Sequence, residues 1–230
     1  MATLVWDAPG THFYETGSDH AALYPINMAD GSYGTGVAWN GLTGVDESPE
    51  GGDTTEIWAD DIKYAGIRAA EKAGGTIKAY TYPDEFGPCD GSVELVPGMF
   101  IGQQPRQSFG FCYRTRIGNE LNPEYGNKLH IFYGCTCSPS SRSYGTVNDS
   151  PDAIEMSWDF EANAVPVTDH KPTATIVIDM SQLSAAARTA IENALYGGDN
   201  SDPELPTPDE LKALIQNAGG NNTGGTTGGN

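Results

Sequence analysis

Residues 153–162 read AIEMSWDFEA, and their alternation indicates the fold class. Successive side chains of an extended strand point to opposite faces of a sheet. The segment therefore predicts a β-strand with one apolar face in the core and one anionic face. The apolar face would carry Ile154, Met156, Trp158 and Phe160, and the anionic face Glu155, Asp159 and Glu161.

Similar segments surround this strand and are separated by clusters of Gly, Pro, Asn and Asp. They are HFYETG, AALYPI, GVAWNGLTGV, IKYAGI, GTIKAYTY, QSFGFCYRTRI, NKLHIFYGCTC and TATIVID. Many short strands with frequent turn signals are typical of antiparallel sandwiches and barrels. We therefore predict a mainly β fold, a β-sandwich or barrel, in a chain of 230 residues that suits one domain.

The C-terminal region predicts one flanking helix and one short helix. Apolar residues recur every fourth position from Leu183 to Leu195, with Ser181 as a cap and Gly197 as a stop. Thr207, Pro208 and Glu210 match a capping box that opens the second helix. The predicted boundaries are residues 1–200 for the β domain with an N-terminal arm, 201–218 for a C-terminal arm with the short helix, and 219–230 for a flexible tail.

The chain is strongly acidic, with 31 Asp and Glu against 12 Lys and Arg and a formal net charge of −19. Affinity for nucleic acid comes mainly from Lys and Arg that displace counterions, so this chain is not expected to grip a phosphate backbone. It could still surround DNA without binding it. The sequence has no apolar run of membrane-spanning length and no secretory signal, which predicts a protein made in a cytoplasm.

Nucleotide-binding glycine motifs, the zinc-protease motif and the serine-hydrolase elbow are absent from the sequence. Cys135 and Cys137 resemble half of a zinc site, but Cys89 and Cys112 are isolated, so we predict buried, reduced thiols that share a strand face with Leu129, Ile131 and Tyr133. Asp19 and His20 are adjacent on an extended chain and should point apart, which argues against an acid–base pair. No cofactor and no metal site is predicted.

The stretch AYTYPDEFGPCDGS, residues 79–92, begins as a strand and ends as a charged, Pro- and Gly-rich loop. Asp84, Glu85 and Asp90 do not match a calcium-binding loop, and one sequence cannot show whether two of them form a glycosidase pair. A turn or an interaction surface is the better interpretation. Several of the 22 aromatic residues should also lie at the surface, and Trp6, Tyr14 and Tyr24 of the N-terminal region are the candidates for contact with a neighbour.

Taken in order, several segments resemble the major tail proteins, or tail tube proteins, of long non-contractile-tailed bacteriophages. The resemblance covers roughly residues 2–196 and is most specific in YPDEF followed by CDG, then GQQ and FGFCYRT. The other segments are ATLVWDAPGTHFYETG, GVAWNGLTGVDESPEG, WADDIKY, NDSPDAIEMSWDFE and KPTATIVID.

The resemblance implies a structural virion protein without catalytic activity. Hexameric rings of such a protein stack into a tube whose lumen conducts DNA into the host. Partners would be further copies of the chain, the tape-measure protein, the tail terminator and the distal tail or baseplate proteins. Assembly would take place in the host cytoplasm and the product would belong to the virion tail, with no membrane involved.

Residue roles follow from this implied function. Glu155, Asp159 and Glu161 are candidates for an acidic lumen lining that repels DNA. Tyr82 and Phe86 are predicted anchors of a contact between rings or subunits, with Asp84 and Glu85 as polar contacts beside them. Two other functions stay open at this point: a carbohydrate-binding β-sandwich that uses exposed aromatic rings, and a hydrolase with a pair of carboxylates.

Overall fold

The computed structural model describes residues 3–146, 152–199 and 201–220. The fold is mainly β with a large antiparallel sheet, which confirms the predicted class. The strands are β1 Tyr14–Pro25, β2 Val37–Trp39, β3 Leu42–Glu47, β4 Glu50–Gly51, β5 Thr54–Ala59, β6 Ile62–Arg68, β7 Glu71–Ala79, β8 Val93–Val96, β9 Met99–Ile101, β10 Phe109–Gly118, β11 Gly126–Cys137, β12 Met156–Ala162 and β13 Thr175–Asp179. The helices are α1 Gly87–Asp90, α2 Ala185–Tyr196 and α3 Pro208–Gly220.

Nine strands form one sheet in the order β2-β1-β10-β11-β12-β7-β3, with β13 paired to β11 and β4 paired to β7. The long strand β11 joins the two halves of this sheet. Its first part pairs with β13, and its last two residues, Thr136 and Cys137, pair with β12. The sheet thus consists of two layers, β2-β1-β10-β11-β13 and β12-β7-β3-β4, linked through β11.

Two hydrophobic cores lie on opposite faces of the first layer. One contains residues from both layers, including Phe111, Trp158 and Phe160. The other lies between the first layer and helices α2 and α3, and it contains Cys112 and Ile191. The alternation of β10, with Phe111 in one core and Cys112 in the other, follows from the pleat of the strand.

Strand β12 has the predicted alternation over most of its length. Trp158 and Phe160 are buried between the layers, and Asp159 and Glu161 are exposed. Ile154 was predicted on the buried face, but it precedes β12 and is exposed, so this prediction is wrong.

Strand β11 changes face at Gly134, which the sequence pattern did not indicate. The register against β10 shifts by one residue here, and Gly134 has φ of 55°, a conformation that glycine adopts without strain. Leu129, Ile131 and Tyr133 therefore face the helices, whereas Cys135 and Cys137 face the core between the layers. The predicted burial of these residues is confirmed, but the prediction that they share one face is wrong.

Both C-terminal helices form, and one predicted cap is wrong. Helix α2 begins after Ser184, whose hydroxyl accepts a hydrogen bond from the Ala187 amide at 3.2 Å, so Ser184 and not Ser181 caps it. Gly197 ends α2 with φ of 83°.

Helix α3 begins with the predicted capping box. The Thr207 amide donates to a Glu210 carboxylate oxygen at 2.8 Å, and the Glu210 amide donates to the Thr207 hydroxyl at 3.4 Å. Leu205 and Leu211 are buried in the core beside α2, so the C-terminal arm packs against the first layer. The predicted flexible tail, 219–230, lies outside the described residues from 221 onward.

Candidate assembly surface

Strands β5 and β6 form a hairpin, residues 54–68, that pairs with no other strand of the described chain; we call it the long hairpin. The hairpin ends at Arg68, and two residues connect it to the start of β7 at Glu71. Its turn consists of Asp60 and Asp61 with φ of 51° and 60°, the left-handed conformation of a tight hairpin turn. The sequence predicted β6 but not its partner β5.

The long hairpin has one apolar face that nothing in the described chain covers. Ile57, Ile62 and Ile67 share this face because residues directly opposite across an antiparallel pair lie on the same side, and they are between 39% and 63% exposed. The other face, which we call the charged face, carries an ion pair between Lys63 and Glu56 at 2.5 Å and the Trp58 ring, which is 63% exposed. Two-stranded hairpins are marginally stable alone in water, so this hairpin would gain stability if another surface covered its apolar face.

Strands β8 and β9 form a second isolated pair, residues 93–101, which we call the short hairpin. Val93, Val96 and Met99 share one face and are between 42% and 55% exposed. Glu94 lies opposite Phe100 on the other face. The sequence predicted neither strand, because Pro97 and Gly98 interrupt a run too short to show an alternation.

The N-terminal arm, residues 3–13, is fastened at its base and free at its tip. The Gly10 amide donates to Glu120 at 2.5 Å, and the Asn119 side-chain amide donates to the Gly10 carbonyl at 3.1 Å. The tip of the arm consists of Leu4, Val5 and Trp6, whose side chains are 74% to 78% exposed. The rings of Trp6 and Tyr14 are therefore available for contact with a neighbouring subunit. The third candidate of this region, Tyr24, is not.

Tyr24 is fully buried, and its hydroxyl donates to the Leu195 carbonyl at 2.7 Å. The prediction that its ring meets a neighbour is therefore corrected. The alternation of β1 did not show that α2 would cover this face.

The loop after β7 divides into a buried ring and an exposed rim. Phe86 is fully buried against Trp39, with ring centroids 4.5 Å apart, and closes the core between the layers. A ring without exposed surface cannot anchor a contact between subunits, so the prediction for Phe86 is corrected. Tyr82, Asp84 and Glu85 are exposed on the same loop, and their predicted role in contacts stays a prediction.

The predicted acidic residues lie on the outer surface of the second layer. Asp159 and Glu161 project from β12, and Glu155 precedes it and is exposed. The Thr76 hydroxyl donates to Asp159 at 2.6 Å. Sequence reasoning missed Lys78 of the adjacent strand β7, which pairs with Asp46 at 2.6 Å and partly offsets the negative charge of this surface.

Asp19 and His20 lie together, contrary to the prediction. His20 has φ of 51° at a β-bulge, which turns its ring toward Asp19 at 2.9 Å. Burial raises the pKa of the Asp19 carboxyl, but bonds from Arg114 and Arg116, at 2.7 Å and 2.8 Å, outweigh it and hold the pKa well below its usual range. A carboxylate so strongly stabilised in its ionised form is a structural ion-pair partner and a poor base.

A second polar cluster joins the two layers. The His130 ring, stacked on Tyr113 with centroids 4.7 Å apart, contacts Glu47 at 2.9 Å and Glu15 at 3.3 Å. The hydrogen bond from His130, together with one from the Tyr113 hydroxyl, lowers the pKa of Glu47 against the effect of burial. Because Glu47 belongs to β3 and Glu15 to β1, the cluster holds the layers in register.

All four cysteines are buried and unpaired. Reduced thiols were predicted for all four, and burial for Cys135 and Cys137. Burial raises the pKa of Cys89 to about 12 and that of Cys112 to about 11, so these thiols stay protonated at neutral pH. Within the described residues, no group of three or more His, Cys, Asp or Glu side chains is placed to hold a metal ion.

No described helix combines the length and the apolar character needed to cross a membrane.

No protein-family model and no curated protein matches the sequence. Among solved structures, the chain is similar to the sheath/tube terminator of the PVC extracellular contractile injection system in its extended state, at 13% identity and a TM-score of 0.32, over 76% of this chain and 99% of that chain. It is also similar to the tube-terminating cap of the anti-feeding prophage, at 10% identity and a TM-score of 0.34, over 78% and 95%. A chain of the anti-feeding prophage baseplate gives 8% identity and a TM-score of 0.35, over 78% and 98%. Likenesses this distant carry no functional argument, so function is argued from the surfaces of the chain itself.

Proposed function

We propose that this chain is a structural virion protein that polymerises as stacked hexameric rings into the tail tube of a long non-contractile-tailed bacteriophage. The observation that carries the proposal is the uncovered apolar surface on three separate projections: the long hairpin, the short hairpin and the N-terminal arm. Monomeric proteins rarely expose apolar surface on several projecting elements, and such surface marks protein–protein contact. The resemblance of residues 2–196 to tail tube proteins supplies the type of polymer.

The proposed role is assembly without catalysis. Asp19 and His20 are bound to each other and to Arg114, an arrangement that supports structure. The proposed partners are further copies of the chain, the tape-measure protein, the tail terminator and the distal tail or baseplate proteins. The proposed site of assembly is the host cytoplasm, and the polymer then belongs to the virion.

The tube would form an electronegative conduit for DNA. Glu155, Asp159 and Glu161 are proposed to line it, because they are exposed together on one surface and the chain carries a net charge of −19. An acidic lumen repels phosphate and lets DNA slide without being bound. Tubes of a variant with all three residues changed to Lys should retain DNA, and the retention should weaken as salt rises. Salt-independent exclusion of DNA by that variant would place the three residues outside the lumen.

Self-assembly is tested by negative-stain electron microscopy and light scattering over a concentration series of purified protein. Hollow tubes or six-subunit rings are expected. The variant Ile62→Gln, on the apolar face of the long hairpin, should shift assembly to higher concentration, whereas Lys63→Gln on the charged face is the matched control. A monodisperse monomer at every concentration would contradict the proposed function, and specific glycan binding by that monomer would support the carbohydrate-binding alternative.

A further inference from the structure

The two hairpins lie on either side of β7 along the chain. The long hairpin ends at Arg68, and Ala69 and Ala70 join it to Glu71, the first residue of β7. The short hairpin lies between Ala79, the last residue of β7, and Phe109, the first residue of β10, and Phe109 packs on the Phe86 ring with centroids 5.6 Å apart. The nine residues of β7 span about 26 Å, at about 3.3 Å per residue.

Each hairpin has an apolar face of similar chemistry and similar extent. Ile57, Ile62 and Ile67 on the long hairpin, like Val93, Val96 and Met99 on the short hairpin, are aliphatic or thioether side chains without a hydrogen-bonding group. Charged side chains are confined to the opposite faces, where Glu56 pairs with Lys63 and Glu94 accepts from the Gly98 amide. Neither apolar face is covered by the described chain.

We propose that the apolar face of the long hairpin of one copy packs on the apolar face of the short hairpin of a second copy. A second copy is the occupant that necessarily brings the complementary face, since every copy carries both. The inference rests on the proposed function, because the contact is argued between subunits of a polymer.

The proposed contact joins two different surfaces and is heterologous when each pair of copies uses it once. An assembly built on it leaves a free short-hairpin face at one end and a free long-hairpin face at the other. Repetition of the contact extends the assembly.

The extent of the faces accounts for assembly through many copies. The six side chains, three on each copy and each about half exposed, together offer roughly 200–400 Å² of apolar surface. A stable isolated pair of proteins commonly buries about 1,600 Å² in total over both partners. One hairpin contact is therefore too small for a free dimer, and it becomes effective when a ring of subunits repeats it.

The contact is tested by cross-linking two variants, Ile62→Cys and Met99→Cys, with a short thiol-specific bifunctional reagent after mixing under assembly conditions. The native cysteines are all buried, so the introduced thiols are the reactive ones among the described residues. Covalent dimers are expected in the mixed sample and in neither variant alone. Lys63→Cys mixed with Glu94→Cys, on the charged faces of the same hairpins, is the matched control pair and should give no dimer.

Each outcome decides between the contact and its alternatives. Dimers from Ile62→Cys alone would show a two-fold contact between long hairpins and overturn the inference. Tubes or rings without dimers above the control pair would also overturn it, while leaving the proposed function intact. Absence of any polymer from wild-type protein would overturn the proposed function and this inference with it. Thermal unfolding of each variant at the wild-type temperature establishes that the cysteine positions leave the fold unchanged.

Discussion

The change Phe86→Ala is expected to lower the free energy of unfolding of the isolated subunit. Phe86 is fully buried, and its ring centroid lies 4.5 Å from that of Trp39, 5.3 Å from Trp158 and 5.6 Å from Phe109. Truncation of a buried Phe to Ala typically costs about 3–5 kcal/mol. The measured range for such truncations already includes lost contacts with neighbouring rings, and the close aromatic pairs place the expected loss in the upper half of that range, about 4–5 kcal/mol.

The loss is measured by urea unfolding at a protein concentration where the wild type is monomeric, with tryptophan fluorescence as the signal, since Trp39 and Trp158 contact the ring. In a domain of this size a loss of about 4–5 kcal/mol corresponds to a melting temperature lower by about 8–20 °C. Tyr82→Ala is the matched control on the same loop. Its ring is partly exposed and makes edge contacts with Trp158 and Phe86, so about 1–2 kcal/mol is expected.

The opposite pattern would refute this reasoning. If the Phe86→Ala subunit unfolds at the wild-type urea concentration but does not polymerise, the ring acts in contacts between subunits, and its burial does not stabilise the monomer. A loss of stability in Phe86→Ala together with normal stability and impaired polymerisation in Tyr82→Ala would separate the two rings into core and contact.

Three further changes test the polar surfaces. The folded-state pKa of Asp19 lies below the ordinary value of 3.8, so its ion pairs stabilise the fold above pH 3.8 and this stabilisation is lost as the pH falls further. In Asp19→Asn, the melting temperature should therefore fall less between neutral and acidic pH than it does in the wild type. Thr207→Ala removes the capping box of α3 and should cost about 1 kcal/mol in urea unfolding, whereas an unchanged midpoint would show that this cap adds nothing to global stability. Asp84→Lys combined with Glu85→Lys should leave a folded subunit that polymerises poorly by light scattering, and normal tubes from this variant would remove both residues from the contact.

The fold class could be predicted because strand alternation is a local property of the sequence. The pattern around Trp158 and Phe160 requires only that one face of the strand be buried, and the structure has that arrangement. The alternation alone did not predict the change of face in β11, because a single residue in a bulge reverses the side of everything after it. Gly134 was the signal, since an isolated glycine inside a strand pattern is typical of a bulge.

The helix caps show a related difference. Thr207 and Glu210 form a two-residue signature at a fixed spacing, and the capping box is present. Ser181 and Ser184 are both good caps on propensity alone, and periodicity does not distinguish between starts that differ by less than one turn. Asp179 accepts from the Ser181 amide at 2.9 Å in the short turn before α2, which leaves Ser184 to cap the helix.

Alternation and composition predict which side chains avoid water, but they cannot tell whether the cover comes from the same chain or from another copy. Tyr24 and Trp6 were both predicted as contacts in the N-terminal region, yet α2 covers the first and nothing described covers the second. On the long hairpin, Ile57, Ile62 and Ile67 have the apolar pattern of a core strand without a core beneath them. Such a face on a hairpin gains stability only when another surface covers it, and this supports the proposed role of the chain in contacts between subunits.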